Sequence, residues 1–232
     1  MAIRKDTWIP QGGGLVTELN FKGKEFVYNH HLAVPFRPLV PNTEKGIGPV
    51  ALDGNLIIQG DNLHALKALL PLYAGKVDCI FIDPPYNTGN EGWCYNDNVN
   101  APMIKEWLDS NPVGIEDGLR HDKWCAMMWP RLRLLHELLA DDGSFWLTLD
   151  DNEFQRGRSI LDEIFGEKGF VACIAWQARY SVSSDAAVSN SHNYVMVYSK
   201  QPETWANLRN QLPKDELQQS RYSNPDDDPN GP

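Results

Sequence analysis

Residues 77–89 read VDCIFIDPPYNTG, from Val77 through Asp83-Pro84-Pro85-Tyr86 to Gly89, and both the fold class and the chemistry turn on this stretch. Its first six positions form a nearly continuous apolar run, the pattern of a strand covered on both faces in a parallel sheet. Pro84 and Pro85 stop that strand, because each fixes φ and neither has a backbone N–H. The turn they make is stiff and offers carbonyl oxygens with few competing donors. Such a cluster suits an amino group, whose hydrogens need acceptors while its nitrogen lone pair attacks. Asp83 adds a carboxylate acceptor, and the Tyr86 ring gives a flat heterocycle a face to stack on. No thiol or hydroxyl nucleophile is required. A Pro-Pro turn that merely closes a strand, with Asp83 capping backbone amides, is the plainer account. The strand before it and the Asn-Thr-Gly after it weigh against that account.

Working outward, Leu56-Ile57-Ile58-Gln59 predicts a short strand ended by Gly60-Asp61. Asn62 then caps a helix with Leu63, Leu66, Leu69 and Leu70 on one face, which Pro71 ends or kinks. A helix is expected over His121–Leu139, kinked or restarted at Pro130, followed by an Asp142-Gly143 turn into a strand Ser144–Leu149. Asp151 or Asn152 caps a helix reaching Phe165, and strands follow at Phe170–Trp176 and Asn193–Ser199. A long irregular stretch covers 87–120, and a Ser-rich loop covers 177–192. Residues 1–55, with 7 Gly and 5 Pro, read as an extended arm holding a short helix or hairpin; 201–232 read as a polar linker. Strands separated by helices argue for an α/β fold with a mainly parallel sheet, whose ligands bind at the carboxyl ends of strands. Two such ends are polar here: Gly60-Asp61-Asn62 and Asp83–Tyr86.

The chain has 232 residues, 42% hydrophobic and 22% charged, enough for a substantial core and ordinary for a globular protein. No uncharged apolar run suits a membrane helix, and the N-terminus lacks a signal-peptide pattern. Cys79, Cys94, Cys125 and Cys173 lie far apart, which reads as reduced thiols in a cytosolic protein. The net charge of −10 leans against a stand-alone nucleic-acid binder. The histidines show no metal-ligand spacing, so no metal is expected. Gly46–Ala51 imitates a dinucleotide fingerprint, but Pro49 and the lack of a preceding strand exclude it.

Asp-Pro-Pro-Tyr is the catalytic motif of the amino-group DNA methyltransferases that use S-adenosylmethionine, and the chain resembles that family over most of its length. The resemblance is carried by Asn55–Leu70, Val77–Gly89, Leu147–Glu153, Leu161–Gly166, His192–Lys200 and the Arg221–Pro232 tail. More narrowly, the chain is similar to the adenine-N6, β-ordered group that includes the modification subunits of type III restriction systems. The resemblance implies the Rossmann-like methyltransferase fold over 56–200, with a final antiparallel strand. It implies transfer of a methyl group from S-adenosylmethionine to N6 of an adenine flipped out of duplex DNA. Asp83 and the Pro84 carbonyl would accept the N6 hydrogens, Pro85 would stiffen the turn and Tyr86 would stack on the base. Asp83 and Asp61 match positions near the cofactor, although a plain helix cap explains Asp61 equally well. Trp176 and His192 border the base pocket in the family pattern, and ordinary core or rim roles explain them too. Double-stranded DNA is the implied partner, with a restriction subunit and a second copy of the full-length chain as candidates, in a cytoplasmic setting without a membrane.

Other readings are an RNA or protein-glutamine methyltransferase, whose related motifs usually start with Asn, and a non-catalytic relic. In the β-ordered group a target-recognition region and a Phe-x-Gly-x-Gly cofactor loop follow the catalytic region, and neither occurs in 1–232. The resemblance thus implies an N-terminal portion, with 201–232 leading toward recognition and two central strands supplied from elsewhere. Leu56–Gln59 would lack a direct neighbour, and this chain alone would bind the cofactor weakly or not at all. A basic recognition region would reconcile the acidic charge with DNA.

Overall fold

The centre of the sheet is Leu139–Leu149, where Phe145, Leu147 and Leu149 are fully buried. The computed structural model describes residues 18–89, 118–179 and 188–210. In chain order they form α1 (Lys24–Val27), α2 (His30–Ala33), α3 (Asn62–Tyr73), β1 (Val77–Ile82), α4 (Arg120–Leu138), β2 (Leu139–Leu149), α5 (Phe154–Phe165), a 3₁₀ turn (Glu167–Gly169), β3 (Phe170–Gln177), β4 (His192–Ser199) and α6 (Pro202–Leu208). The sheet order is β1-β2-β4-β3. β1 is parallel to β2, with Ile80 opposite Phe145 and Ile82 opposite Leu147. β4 is antiparallel to both β2 and β3. Three strands therefore point one way, and the last in sequence is reversed and wedged between two of them. This is the expected α/β fold with its final antiparallel strand.

Alternation sorts the strands' side chains onto two faces. Phe145, Leu147 and Leu149 share one face with Met196 and Tyr198, their cross-strand partners or neighbours, and all five are fully buried. Gly157 lets α5 approach this face: a Cβ there would lie 2.5 Å from Leu149 Cδ1 and 3.2 Å from Met196 Cε. α4 carries Trp124, Met128, Trp129 and Leu132 into the same core. On the other face Trp146 meets Trp205 of α6 at 6.4 Å, edge to face. The N-terminal arm is fastened by Lys24, whose buried ammonium donates to both carboxylate oxygens of Glu163 at 2.8 and 2.9 Å, to Glu18 and to the Leu19 carbonyl. Among the described residues no helix is long and apolar enough to cross a membrane.

Several expectations are corrected. Leu56–Gln59 is irregular, not a strand, and Ile57 is fully exposed. No strand runs beside it among the described residues, so its backbone has no ladder to join. Pro71 does not end its helix and Pro130 does not start a new one, since both lie inside continuous helices. Asp61, not Asn62, caps α3, and α5 starts after Glu153 rather than at a side-chain cap on Asp151 or Asn152. β2 begins at Leu139 and runs through Asp142-Gly143, with an irregular register against Val77–Cys79. The tail is not wholly linker, since 202–208 form α6. Most of the 87–120 stretch, the middle of the Ser-rich loop, Cys94 and 211–232 lie outside the described residues.

Gly157→Ala gains about 1 kcal/mol of helix propensity, yet the extra methyl meets Leu149 and Met196, and overpacking of this kind costs about 1–3 kcal/mol. Urea unfolding is expected to show net destabilisation; a gain in stability would refute the close approach. Burial, aided by nearby Arg133, pushes the His31 and His136 imidazoles down to about 4. Their folded pKa lies below the unfolded value, so the stability they contribute is complete above pH 6.5 and is lost as pH falls toward 4. Unfolding free energy over that window is expected to fall more steeply in the native protein than in a His31→Gln/His136→Gln variant.

Candidate active site

β1 delivers Asp83–Asn87 at its carboxyl end, beside the carboxyl end of β2. Prolines cannot fasten this turn through N–H groups of their own, and the described contacts come from three other elements. From α4, the Trp124 indole N–H donates to the Pro85 carbonyl at 2.7 Å, which commits that oxygen to the scaffold. From β4, Asn193 Nδ2 donates to the Tyr86 hydroxyl at 3.2 Å. At the start of α5, the Glu153 carboxylate accepts from Asn87 Nδ2, which also donates to the Arg120 carbonyl at 3.2 Å. Asn87 is fully buried at φ 61°, the one non-glycine residue with positive φ among those described. Asparagine tolerates that left-handed conformation better than most side chains.

Asp83 is exposed, as an acceptor for an incoming ligand must be. Burial, and then Asp83, push the Tyr86 phenol up to about 12, so the ring stays neutral at physiological pH. Trp176 stands opposite Asn193 in register and so shares its sheet face, with 64% of its surface exposed. His192 stands one position away, opposite Gln177. It packs edge to face on Tyr194 at 4.8 Å, which in turn stacks on Phe154 of α5 at 4.2 Å. Of the residues read from the sequence, Tyr86 and Trp176 thus lie toward one face of the sheet and His192 toward the other.

Asp61 caps α3: Oδ1 accepts from the Leu63 and His64 amides at 2.9 and 3.3 Å, and Oδ2 lies 4.0 Å from Arg131 Nη2. It also lines a cavity of about 220 Å³ with Gly60, His64 and Arg37. No group of three metal-ligating side chains occurs among the described residues. Sequence reasoning missed Trp124, Asn193 and Glu153 as partners of the turn, and His121 as a partner of Glu153 at 2.6 Å. A tryptophan with an N–H to satisfy and an acid next to a buried helix were the available signals.

The fold and the turn define an α/β domain with an exposed carboxylate and a braced Pro-Pro-Tyr turn at a strand's carboxyl end. Residues 77–231 match the model of a family described as DNA methylase, and the chain belongs to that family. It is 34% identical over 193 residues to the Mod subunit of the type III restriction-modification enzyme StyLTI of Salmonella typhimurium, covering 79% of this chain and 30% of that protein. The EcoP15I Mod subunit of Escherichia coli is 34% identical over 64% of this chain and 24% of its own length. The EcoPI Mod subunit of Escherichia phage P1 is 38% identical over 63% and 24%. The matches thus span between about a quarter and a third of the length of these relatives.

The neutral phenol is directly measurable. Tyr86 is expected to stay protonated through pH 11, as the difference in ultraviolet titration between native protein and Tyr86→Phe. Asn193→Ala should raise the value further, because the amide donor favours the phenolate. A Tyr86 midpoint near 10 would contradict the enclosure described.

Proposed function

We propose that the protein transfers a methyl group from S-adenosylmethionine to N6 of an adenine flipped out of duplex DNA, as the modification activity of a restriction system. The observation that carries this reading is the Asp83-Pro84-Pro85-Tyr86 turn at the carboxyl end of β1, in a chain of the DNA methylase family. Residues 56–200 form the catalytic region, 1–55 an arm and 201–232 a connection. A restriction subunit and a second copy of the protein are the further partners we propose.

Asp83 and the Pro84 carbonyl accept the two N6 hydrogens, which draws the amino lone pair out of the purine π-system and toward the electrophile. Tyr86, held by Asn193, stacks on the base, and Trp176 rims the same face. Bound S-adenosylmethionine supplies an electrophilic methyl on a sulfonium. The exposed Asp83 carboxylate and the cavity beside Asp61 suit such a cation. Asp61 Oδ1 is committed to the helix cap, and Oδ2, 4.0 Å from Arg131 Nη2, is the oxygen a ligand would share with that guanidinium. Positioning supplies most of the rate, since well-oriented reactants save roughly 7–11 kcal/mol of barrier.

The test uses protein expressed from its intact gene, unmethylated duplex DNA and labelled S-adenosylmethionine, read as methylated nucleosides by mass spectrometry. N6-methyladenine is expected, with Asp83→Ala lowering it at least about 1000-fold while DNA binding stays within about threefold. N4-methylcytosine as the product, or full turnover by Asp83→Ala, would overturn the reading.

A further inference from the structure

Resting on the methyl-transfer reading above, we propose that Glu153 is a positioning residue for that reaction. Through a His121–Glu153–Asn87 hydrogen-bond chain it holds Asn87 in its left-handed conformation and so sets the aim of the Asp83–Tyr86 turn.

The chain can be followed atom by atom. Glu153 is fully buried at the start of α5, and its Oε1 accepts from both Asn87 Nδ2 and His121 Nδ1, the latter at 2.6 Å. Arg120 Nε donates to His121 Nε2 at 3.2 Å. That nitrogen is therefore an acceptor, which puts the imidazole proton on Nδ1, pointed at Glu153. Arg156 Nη1 lies 3.6 Å from Oε2. A carboxylate without solvent costs free energy that a packed apolar side chain would avoid, and burial pushes its carboxyl above the ordinary range. What Glu153 provides in return is connection: one carboxylate joins the turn after β1, the first turn of α4 and the start of α5.

The geometry ties this connection to the reacting groups. Asn87 is the residue next to Tyr86, and on the same side of α4, three residues after His121, Trp124 holds the Pro85 carbonyl. The turn is thus gripped at Pro85 and at Asn87, one residue either side of Tyr86. A Cys-His-acid catalytic triad at this spot is excluded. Cys125 is buried with its thiol pushed up, chiefly by burial, and His121 Nε2 is already engaged by Arg120.

The experiment compares single-turnover methyl transfer, cofactor and DNA affinity, and the Trp124 indole ¹H–¹⁵N signal, assigned with Trp124→Phe, in protein from the intact gene. Glu153→Ala is expected to slow transfer about 100-fold, the scale of a small misplacement, with both affinities within about threefold. The Trp124 signal should shift while the other indoles stay in place. Glu153→Gln, whose amide oxygen still accepts from Asn87, should recover to within about fivefold of native. Asn87→Gly removes the side chain but permits the positive φ; it should lose as much as Glu153→Ala, and the double variant no more than either. A Glu153→Ala rate within twofold of native would overturn the proposal, as would multiplicative losses or an unmoved Trp124 signal. If Glu153→Ala fails to fold, Asn87→Gly decides by the same criteria. If Asp83→Ala keeps the native rate, the methyl-transfer reading itself has failed; a neutral Glu153→Ala beside a dead Asp83→Ala refutes only the positioning role.

Discussion

The absence of a side chain at residue 157 governs how this fold fits together. α5 touches β2 and β4 at Leu149 and Met196 because nothing larger than hydrogen stands between them. The amide of Gly157 closes the helix's first turn onto the Glu153 carbonyl at 2.8 Å, so the depth at which Gly157 docks also sets where Glu153 lies. That places a carboxylate over the carboxyl ends of β1 and β2, within reach of Asn87. Packing in the core and the shape of the polar site are therefore one problem solved at one contact.

Much of this was legible in the sequence. The apolar runs at 77–82, 170–176 and 193–199 became strands to within a residue or so, because each found a partner in the ladder, β1 on β2 and β3 and β4 on each other. Leu56–Gln59 carries the same signal and is no strand: a strand is a property of a pair, and pairing cannot be read from one member. Pro71 and Pro130 are signals for a helix boundary, and neither marks one here. Each removes one hydrogen bond, and the buried Trp129 and Leu132 beside Pro130 hold α4 together regardless. Caps were ambiguous for a related reason, since Asp61 and Asn62 are both suitable and only the extended backbone at Asp61 separates them.

The site divides along the same line. Asp83–Tyr86 could be read because its chemistry is contiguous. Trp124 and Asn193 could not, since they arrive from 39 and 107 residues away in sequence. Trp176 and His192 illustrate how little information decides orientation. They belong to facing strands offset by a single position, and that one step of register turns the first toward the face of Tyr86 and the second toward α5.

β1 also has a physical property separate from the turn it carries. It terminates the described sheet, so one of its two backbone edges has no partner strand among the described residues. Phe81 is 62% exposed, Cys79 is exposed, and Asp78 is the only charge in the run. Natural edge strands usually carry Lys, Pro or bulges that discourage adhesion. This one has a single carboxylate and one irregularity of register near Val77. A backbone edge of this kind is a template for an extended segment, and within β1 the charge that opposes such pairing is Asp78.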